Sequence, residues 1–339
     1  MSYKVTISDI AQALNTTPAT VSRALSNHPA ISDDTKQKVA AMAERLNYKP
    51  NKIASSLRSG RSHAIGVMIP SAEINFFGSV VHGIENVANS AGYNVLIYQT
   101  NELRQFEVKG IETFLSARVD GILASIAKET SDYTHFLEIK KRGVPVVFFD
   151  RANDDLGISS VVVDDYRGGY IATEHLLKQG YKRVAHISGP QHIKIFNDRL
   201  KGYMGALQAH GIKVDFDLIY TGNVSIEAGK SAIEHLLELP EKPDAVFAVE
   251  DFTALGAIKC LKERNIKIPD EFGVIGFANE LFGEHITPSL STIDQQTVSM
   301  GKASLELLLQ LIRHKDKNSQ PRKVVLDPLP VFRQSTFRK

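Results

Sequence analysis

The feature that most constrains the fold is a junction that recurs along the chain. At each occurrence a glycine follows an amphipathic segment, and a β-branched run begins just after it. The four occurrences are Ala91-Gly-Tyr-Asn-Val, Arg142-Gly-Val-Pro-Val, Gln179-Gly-Tyr-Lys-Arg-Val and His210-Gly-Ile-Lys-Val. Glycine readily adopts the left-handed conformation that ends a helix. The junction therefore predicts alternating helices and strands, which is the α/β organisation that contains parallel sheets.

Apolar runs of strand length support this organisation. The first is His63 to Ile69, and we expect a helix over roughly 78–91 after it. Further runs of this type are Val95 to Tyr98, Gly121 to Ala124, Val144 to Phe149, Arg183 to Ile187, Ala245 to Val249, Phe272 to Gly276 and Lys323 to Leu326. About 280 residues in this pattern exceed one comfortable core, so the sequence predicts two lobes.

The first 50 residues follow a different, purely helical pattern. Thr6 with Asp9 three positions later is typical of a helix start, and Thr17-Pro18 is a hydroxyl cap followed by proline at the first helical position. Ser32 begins a third predicted helix. We expect Val21, Ala24 and Leu25 to form the buried face of the second helix. Pro18, Ala19, Ser22 and Arg23 would then face outward, as in a helix-turn-helix recognition helix.

The distribution of charge distinguishes a helix-turn-helix head from the alternative, a small helical bundle that only caps a larger domain. Residues 1–61 carry nine lysines and arginines against four aspartates and glutamates. The whole chain is only +2, so the remaining residues are net negative. A positive field confined to the helical region favours a nucleic-acid surface.

Three segments of the first 51 residues form a specific pattern: Val5-Thr-Ile-Ser-Asp-Ile-Ala11, Thr17-Pro-Ala-Thr-Val-Ser-Arg23 and Asn47-Tyr-Lys-Pro-Asn51. They resemble the lactose-repressor (LacI/GalR) family of bacterial transcription regulators, and the resemblance continues to the C-terminus. It implies that Pro18, Ala19 and Arg23 face base edges, where arginine can pair bidentately with guanine. The positions that resemble DNA-backbone contacts of the family are Thr6, Thr20, Ser22 and Asn51.

Residues 51–59 resemble the family's short hinge helix, which includes Ala54. Leu57 matches a leucine that the family wedges into the minor groove, although an ordinary packing leucine is the alternative. The resemblance divides the chain into a head, a hinge and two lobes. Their predicted limits are 1–50 for the head, 51–62 for the hinge and linker, 63–163 with 293–326 for the first lobe, and 164–292 with 327–339 for the second.

Ligands of such folds bind outside the carboxyl ends of the strands, here between the lobes. The positions that resemble effector contacts of the family are Phe76, Phe77, Asp150, Arg151, Arg199, Val224, Glu250, Asn279 and Gln295. Alternatives remain open for several of them. Phe76 or Phe77 could be core, Asp150 and Arg151 could simply pair with each other, and Arg199 could be a solvated helix residue.

Two departures from the family lie in this predicted cleft. The usual Asn-Asp pair is Glu250-Asp251, and the usual Gly-Tyr-Asp-Asp loop is Gly276-Phe-Ala-Asn279, so the family's ligand-binding aspartate falls on Ala278. We expect Glu250 or Asn279 to take over the hydrogen bonds to ligand hydroxyls. A buried Glu250 would need a partner such as Arg199, a ligand or water.

The sequence shows no catalytic motif: it has no Gly-x-Gly-x-x-Gly after a strand, no phosphate-binding loop and no His-Glu-x-x-His. Cys260 is the single cysteine, which we expect to be an inert buried thiol. We expect no catalytic residues, no metal and no cofactor. Without an apolar signal stretch or a membrane-length run, we also expect a cytoplasmic protein with no membrane partner.

Together these features predict a DNA-binding regulator, most simply a repressor. Its partners would be near-palindromic double-stranded operator DNA, a second copy in a homodimer, and a small effector such as a sugar or sugar derivative. A dimer is favoured over a tetramer because no heptad tail follows the last strand-like run. The rival is a periplasmic-type sugar-binding protein, which would need a secretion signal and would have no use for a basic head.

Overall fold

A computed structural model describes residues 5–48, 61–313 and 320–338 of the 339-residue chain. The chain divides into two compact units, Met1–Ser62 and His63–Lys339. Among the residues described, no helix combines the length and the apolar character needed to cross a membrane.

The first unit is a three-helix head. Its helices are α1 (Ile7–Ala13), α2 (Pro18–Leu25) and α3 (Asp33–Arg45). The backbone N–H of Thr6 donates to Asp9 Oδ2 at 2.7 Å, and Thr17 Oγ1 accepts from the N–H of Thr20 at 3.2 Å. The predicted helix starts are therefore confirmed. The small core that joins the helices consists of Ile10, Ala11, Val21, Ala24, Val39 and Ala43.

Leu25 does not join this core, contrary to the sequence prediction. Val21 and Ala24 are buried, but Leu25 is 37 % exposed. Leu25 is the last residue of α2, and Ser26 caps the helix directly after it. Its side chain therefore lies at the end of the apolar face rather than within it.

The second unit contains two lobes, each built on a parallel sheet. The first-lobe sheet has the order β11-β5-β4-β3-β1-β2. Its strands are β1 (Ala64–Ile69), β2 (Asn94–Gln99), β3 (Gly121–Ala124), β4 (Val146–Phe149), β5 (Ser159–Val163) and β11 (Lys323–Leu326). Its helices are α4 (Asn75–Ala91), α5 (Arg104–Ser116), α6 (Thr134–Lys141) and α12 (Thr297–Arg313), with a 3₁₀ turn at Asp154–Leu156.

The second-lobe sheet has the order β7-β6-β8-β9. Its strands are β6 (Val184–Ser188), β7 (Ile219–Thr221), β8 (Ala245–Ala248) and β9 (Gly273–Ile275). Its helices are α7 (Asp165–Lys178), α8 (Lys194–Ala209), α9 (Ile226–Leu236), α10 (Asp251–Glu263) and α11 (Phe282–His285), with a 3₁₀ turn at Phe216–Leu218. A short antiparallel pair, β10 (Thr292–Asp294) and β12 (Leu329–Val331), lies where the chain passes between the lobes.

The parallel α/β organisation is thus confirmed, and each predicted strand is present to within two residues at either end. The sequence analysis missed β5, β7, β10 and β12. The last three have only three residues each, and β5 begins with two serines. The glycine junctions are also confirmed. Gly92 and Gly180, for example, have φ values of +72° and +88°, which an L-residue rarely adopts.

In each lobe the two longest helices cross at a pair of glycines, which let the helices approach closely. We call this arrangement the glycine crossing. In the first lobe, a Cβ on Gly83 would lie 2.2 Å from the carbonyl oxygen of Val298, and one on Gly301 would lie 2.1 Å from that of Val80. Helices α4 and α12 therefore touch backbone to backbone at this point.

The same crossing occurs in the second lobe between α7 and α8. A Cβ on Gly202 would lie 2.1 Å from the carbonyl oxygen of Tyr166, and one on Gly169 would lie 2.3 Å from that of Arg199. Helices α7 and α12 each begin where the chain enters a lobe. The two crossings therefore fix the positions of the helices nearest the passage between the lobes, and with them the polar residues at the strand ends.

Candidate functional site

The head presents the amino-terminal half of α2 to solvent. Pro18, Ala19 and Arg23 are exposed, whereas Thr20 and Ser22 are half-buried. The Thr6 hydroxyl donates to Asp9 Oδ2 at 2.7 Å, which fixes the start of α1. The remaining predicted DNA contacts, Asn51, Ala54 and Leu57, lie outside the described residues.

In the second unit, polar side chains follow the strand ends of both lobes and meet in a cleft between them. Asp150 and Arg151 follow β4, Glu250 follows β8, and Gln295 follows β10. His192 of the second lobe contacts the carbonyl oxygen of Lys128 in the first, with 3.0 Å between Nε2 and the oxygen. The cleft is therefore bridged in this structure.

Phe76 and Phe77 both belong to the first-lobe core cluster, which was the alternative left open for one of them. Both are buried, at 7 % and 2 % exposure, and their rings meet edge to face at 5.0 Å. The reason is the start of α4 at Asn75, three residues before the predicted start near 78. Phe76 then falls on the same helical stripe as Val80 and Ile84, which packs into the first-lobe core.

Asp150 and Arg151 do not form the simple pair that the sequence allowed. Arg151 Nη1 lies 2.7 Å from Glu102 Oε2, whereas its Nε lies 3.8 Å from Asp150 Oδ2. Asp150 instead accepts a hydrogen bond from the Ser125 hydroxyl at 3.3 Å. Burial raises the pKa of the Asp150 carboxyl in spite of the neighbouring arginines.

Arg199 is buried, at 2 % exposure, so it is not a solvated helix residue. Its Nε donates to Asp165 Oδ1 at 2.8 Å, and its Nη2 donates to Gln295 Oε1 at 3.1 Å. Its Nη1 donates to the carbonyl oxygen of Val249 at 2.8 Å, and its guanidinium lies 3.6 Å from the ring centre of Phe277. Burial raises the pKa of Asp165 to about 7, even with Arg199 beside it.

Glu250 is a carboxylate of the cleft that has no ion-pair partner among the described residues. It is half-buried at the start of α10, and its carboxylate forms no hydrogen bond within the part of the chain that the structure describes. Burial raises its pKa, while Lys128, Arg199 and Arg151 act in the opposite direction. Glu250 therefore offers free acceptor oxygens at a partly desolvated position among charged side chains.

Asn279 is the weaker of the two predicted replacements, because both ends of its amide are occupied. Its Nδ2 donates to Asp294 Oδ2 at 2.9 Å, and its Oδ1 accepts from Arg333 Nη2 at 2.9 Å. Its φ is +56°, so it also serves the turn. Val224 packs beside Ile193, Ile195 and Phe196 as an apolar wall.

Several polar residues of the cleft were missed from the sequence: Glu102, Lys128, Asp165, His192 and Glu280. The signal that could have found three of them is position, since Glu102, Asp165 and Glu280 all follow the ends of strands. A cavity of about 240 Å³ opens beside Asp150 and Asp165 and is lined from both lobes. Among the described side chains there is no group of three or more that could hold a metal ion.

Comparison with known proteins adds independent findings. Residues 6–51 match the family model for bacterial regulatory proteins of the lacI family, and residues 62–333 match that for periplasmic binding proteins and the sugar binding domain of the LacI family. The HTH-type transcriptional regulator DegA of Bacillus subtilis is 34 % identical over 98 % of both chains.

Two solved structures have a similar fold. The transcriptional regulator CelR in complex with cellobiose is 25 % identical, covers 98 % of this chain and 100 % of its own, and has a TM-score of 0.73. The lac repressor dimer bound to operator and the anti-inducer ONPF is 24 % identical, covers 98 % and 99 %, and has a TM-score of 0.86.

Proposed function

The chain belongs to the LacI family of bacterial regulatory proteins, and on that premise we propose how its parts divide the work of a transcriptional repressor. The head binds an operator, and an effector bound between the lobes changes the affinity of the head for that operator. The observation that carries this proposal is the presence, on one chain, of a helix-turn-helix head and a two-lobed core of the sugar-binding type. A sugar-binding protein without a regulatory role has no need of the first part.

In the head, Pro18, Ala19 and Arg23 read base edges, and Thr6, Thr20 and Ser22 set the position on the DNA backbone. The exposure of the first three supports this assignment. Asn51, Ala54 and Leu57 complete the predicted contacts through the hinge. Two heads on a near-palindromic operator require a homodimer. The edge strand β2 offers a surface for pairing, since Leu96 and Ile97 are exposed on it.

In the cleft, Glu250 replaces the family's missing aspartate as the acceptor for effector hydroxyls. Arg199 and Gln295 lie at the border of the same site. Its free carboxylate oxygens support this role. We take the effector to be a sugar or sugar derivative, because the similar regulator CelR forms a complex with cellobiose. The curated relatives are transcriptional regulators rather than enzymes, and we propose no catalytic activity and a cytoplasmic location for this chain as well.

The DNA-binding part is tested by selecting duplexes from a random pool and measuring affinity at several salt concentrations. We expect a near-palindromic site whose affinity falls steeply with salt. The Arg23→Ala variant should lose about 1–3 kcal/mol of discrimination at one base position per half-site. Lys36→Ala is the control, because Lys36 pairs with Asp33 on α3. A dimer with no preference for any duplex would refute the proposal.

The effector part is tested by a thermal-shift screen of sugars, sugar phosphates and nucleosides, followed by operator binding with each hit. Glu250→Ala should weaken binding of the hit by about 10- to 100-fold, as expected for a lost charge-assisted hydrogen bond. Glu284→Ala is the matched control, since Glu284 is an exposed carboxylate of the second lobe. Unchanged affinity in Glu250→Ala would refute the role of Glu250.

A further inference from the structure

A second, smaller cavity of about 40 Å³ lies between the two lobes. The first lobe contributes residues of the segment 126–133 together with Arg151 and Ala152, and the second contributes the segment 192–195. Ala152, Lys194 and Ile195 also line the cavity of about 240 Å³, so the two cavities adjoin. A buried water needs about 10–15 Å³. The smaller cavity therefore has room for a carboxylate or a phosphate group, but not for a whole sugar.

The charges around the smaller cavity are predominantly positive. The charged side chains that line it are all basic, namely Lys128, Arg151 and Lys194. Two carboxylates pair with these three cations. Oxygens of Glu102 lie 2.7 Å from Arg151 Nη1 and 3.7 Å from Lys128 Nζ, and Asp198 pairs with Lys194. Burial raises the pKa of Glu102, yet the neighbouring Arg151 and Lys128 hold that pKa below its ordinary value. One positive charge is in excess, and we call this space the basic cavity.

The amino-terminal end of α8 lies at the basic cavity without a cap. Its N-cap residue is Ile193, which has no polar side chain, and no acidic residue lies in its first turn. The backbone N–H groups of Lys194 and Ile195, which both line the cavity, have no hydrogen-bond partner among the described residues. The next N–H, of Phe196, donates to the carbonyl oxygen of Ile193 at 3.1 Å. Free N–H groups at the start of a helix carry partial positive charge and bind anions.

Arg151 has unused hydrogen-bond donors at the basic cavity, although it is only 9 % exposed. Both of its hydrogen bonds come from Nη1, to Glu102 Oε2 at 2.7 Å and to the carbonyl oxygen of Ile126 at 3.3 Å. Its Nε is buried without a hydrogen bond and lies 3.8 Å from Asp150 Oδ2. Asp150 lines the larger cavity but not the basic one. A guanidinium in this state can bind a carboxylate or a phosphate.

The wall that carries Lys128 is held in position from behind by Glu107, which is fully buried. Glu107 Oε1 accepts from the backbone N–H of Ala127, and its Oε2 accepts from the Thr130 hydroxyl, both at 2.6 Å. From the other lobe, His192 Nε2 lies 3.0 Å from the carbonyl oxygen of Lys128. A carbonyl only accepts, so Nε2 is the donor. The cavity is thus formed before a ligand enters, which lowers the cost of binding.

We propose that the basic cavity is an anion subsite of the effector cleft, so that the effector is a sugar that carries a carboxylate or a phosphate group. The anionic group accepts from the N–H groups of Lys194 and Ile195 and pairs with Arg151 and Lys128. The sugar ring lies in the adjoining larger cavity, where Asp150 can accept from its hydroxyls.

This inference rests on the proposed function for the identity of the cleft as the effector site. The affinity of the basic cavity for an anion does not depend on that function. Because the donors come from both lobes, a bound anion stabilises the arrangement in which the lobes are together.

The first experiment uses inorganic phosphate and needs no known effector. Lys194→Pro removes one free N–H from the site. Proline is tolerated at the first position of a helix, and the preceding Ile193 has the extended conformation that proline requires, with φ −88° and ψ 116°. Lys194→Ala is the matched control, since it loses the same side chain but keeps the N–H.

At pH 7.5 and equal ionic strength, we expect phosphate to raise the Tm of the parent and of Lys194→Ala by about 2 °C or more over chloride. In Lys194→Pro the rise should be about half as large or less, because one hydrogen bond to the anion is lost. Equal rises in Lys194→Pro and Lys194→Ala, or no rise in the parent, would overturn the proposal.

The second experiment measures specificity by calorimetry with probes that differ in one group: galactose and galacturonate, glucose and glucuronate, and glucose and glucose 6-phosphate. Where either member of a pair binds the parent, we expect the anionic member to bind at least about tenfold tighter. The pair that binds distinguishes a carboxylate from a phosphate effector.

Lys128→Gln should reduce that ratio by about tenfold. Lys109→Gln, at an exposed lysine of α5 in the same lobe, is the control for the change of charge and should leave the ratio unchanged. Preference of the parent for the uncharged sugar, or an unchanged ratio in Lys128→Gln, would contradict the proposal. If no probe binds, the phosphate result of the first experiment decides.

Operator binding by the same preparations separates the two levels of inference. A parent chain that binds no duplex would refute the proposed regulator. The phosphate result would still stand or fall by itself, because it concerns the basic cavity alone.

Discussion

The two lobes place different residues at the same point of the same helix crossing. In the first lobe, the carbonyl group that meets Gly301 belongs to Val80, and in the second lobe the one that meets Gly169 belongs to Arg199. Val80 is fully buried and Arg199 is 2 % exposed. One crossing thus contains an apolar side chain and the other contains a guanidinium.

At this point the second lobe has a buried charged side chain where the first lobe has apolar packing. A buried charge is unfavourable unless it is paired and hydrogen-bonded. Asp165, the first residue of α7, supplies the pairing, and the corresponding first residue of α12 in the first lobe is Thr297. The scaffold is common to both lobes, whereas the charge pair belongs to the lobe that also carries Glu250 and Glu280.

The largest test of this comparison removes Arg199. Arg199→Met leaves Asp165 buried without its partner, and it should lower the free energy of unfolding by about 3–5 kcal/mol in urea denaturation at pH 7.5. The double change Arg199→Val with Asp165→Thr recreates the residues of the first lobe and should recover most of the loss. Arg167→Met, which breaks only the exposed pair with Asp327, should have little effect. A double variant as unstable as Arg199→Met would show that the lobes are not equivalent at this point.

The second test concerns the glycine crossing, which both lobes share. Gly83→Ala and Gly202→Ala each place a Cβ within 2.2 Å of a carbonyl oxygen across the crossing, and each should destabilise by about 2–3 kcal/mol. Gly78→Ala is the control in α4, where a Cβ meets nothing within 4 Å. It should stabilise by about 0.5–1 kcal/mol, because alanine favours a helix over glycine. Equal effects of Gly78→Ala and Gly83→Ala would contradict the glycine crossing.

The third and smallest test uses pH. Burial lowers the pKa of His175, in α7, to about 4, so the folded chain keeps it neutral where the unfolded chain protonates it. Its contribution to stability is therefore fully present above pH 6.5 and is lost progressively as the pH falls toward 4. The His175→Phe substitution changes the free energy of unfolding by some amount at pH 7.5, and at pH 5 we expect this change to be about 2 kcal/mol more favourable.

The aspartates of the second lobe act in the opposite direction. Burial raises the pKa of Asp165 and Asp251 to about 7, so their contribution is present below pH 3.8 and is lost as the pH rises through about 7. Both chains of the His175 comparison keep these aspartates, and the difference between the chains isolates the histidine. His82→Phe, at an exposed histidine of the first lobe, is the control. An equal pH response in the two variants would exclude His175 as the cause.

The head could be predicted from sequence because its signals are local. Thr6, Thr17 and Ser32 begin helices through bonds to residues three positions away, and periodicity then identifies the buried face. Only Leu25 was misplaced, since periodicity does not show where the packing partners end. Most strands of the lobes could be predicted for the same reason, since an apolar run is also a local signal; β5, β7, β10 and β12 were the exceptions.

The cleft was only partly predictable. The family resemblance identified Arg151 and Arg199, but not the carboxylates that pair with them. Glu102, the partner of Arg151, and Asp165, the partner of Arg199, lie 49 and 34 positions away along the chain. The burial of both Phe76 and Phe77 was not predicted, because α4 begins three residues before the predicted start and this changes the face on which they lie.

The order of the first-lobe sheet has a consequence for biosynthesis. Helix α12 and strand β11 belong to the lobe that starts at β1, yet nearly the whole second lobe lies between them and the rest of it in the chain. On the ribosome, the apolar stripe of α4 therefore waits for α12 while roughly 200 residues are made, which takes roughly ten to forty seconds. The lobe that is synthesised first is therefore completed last.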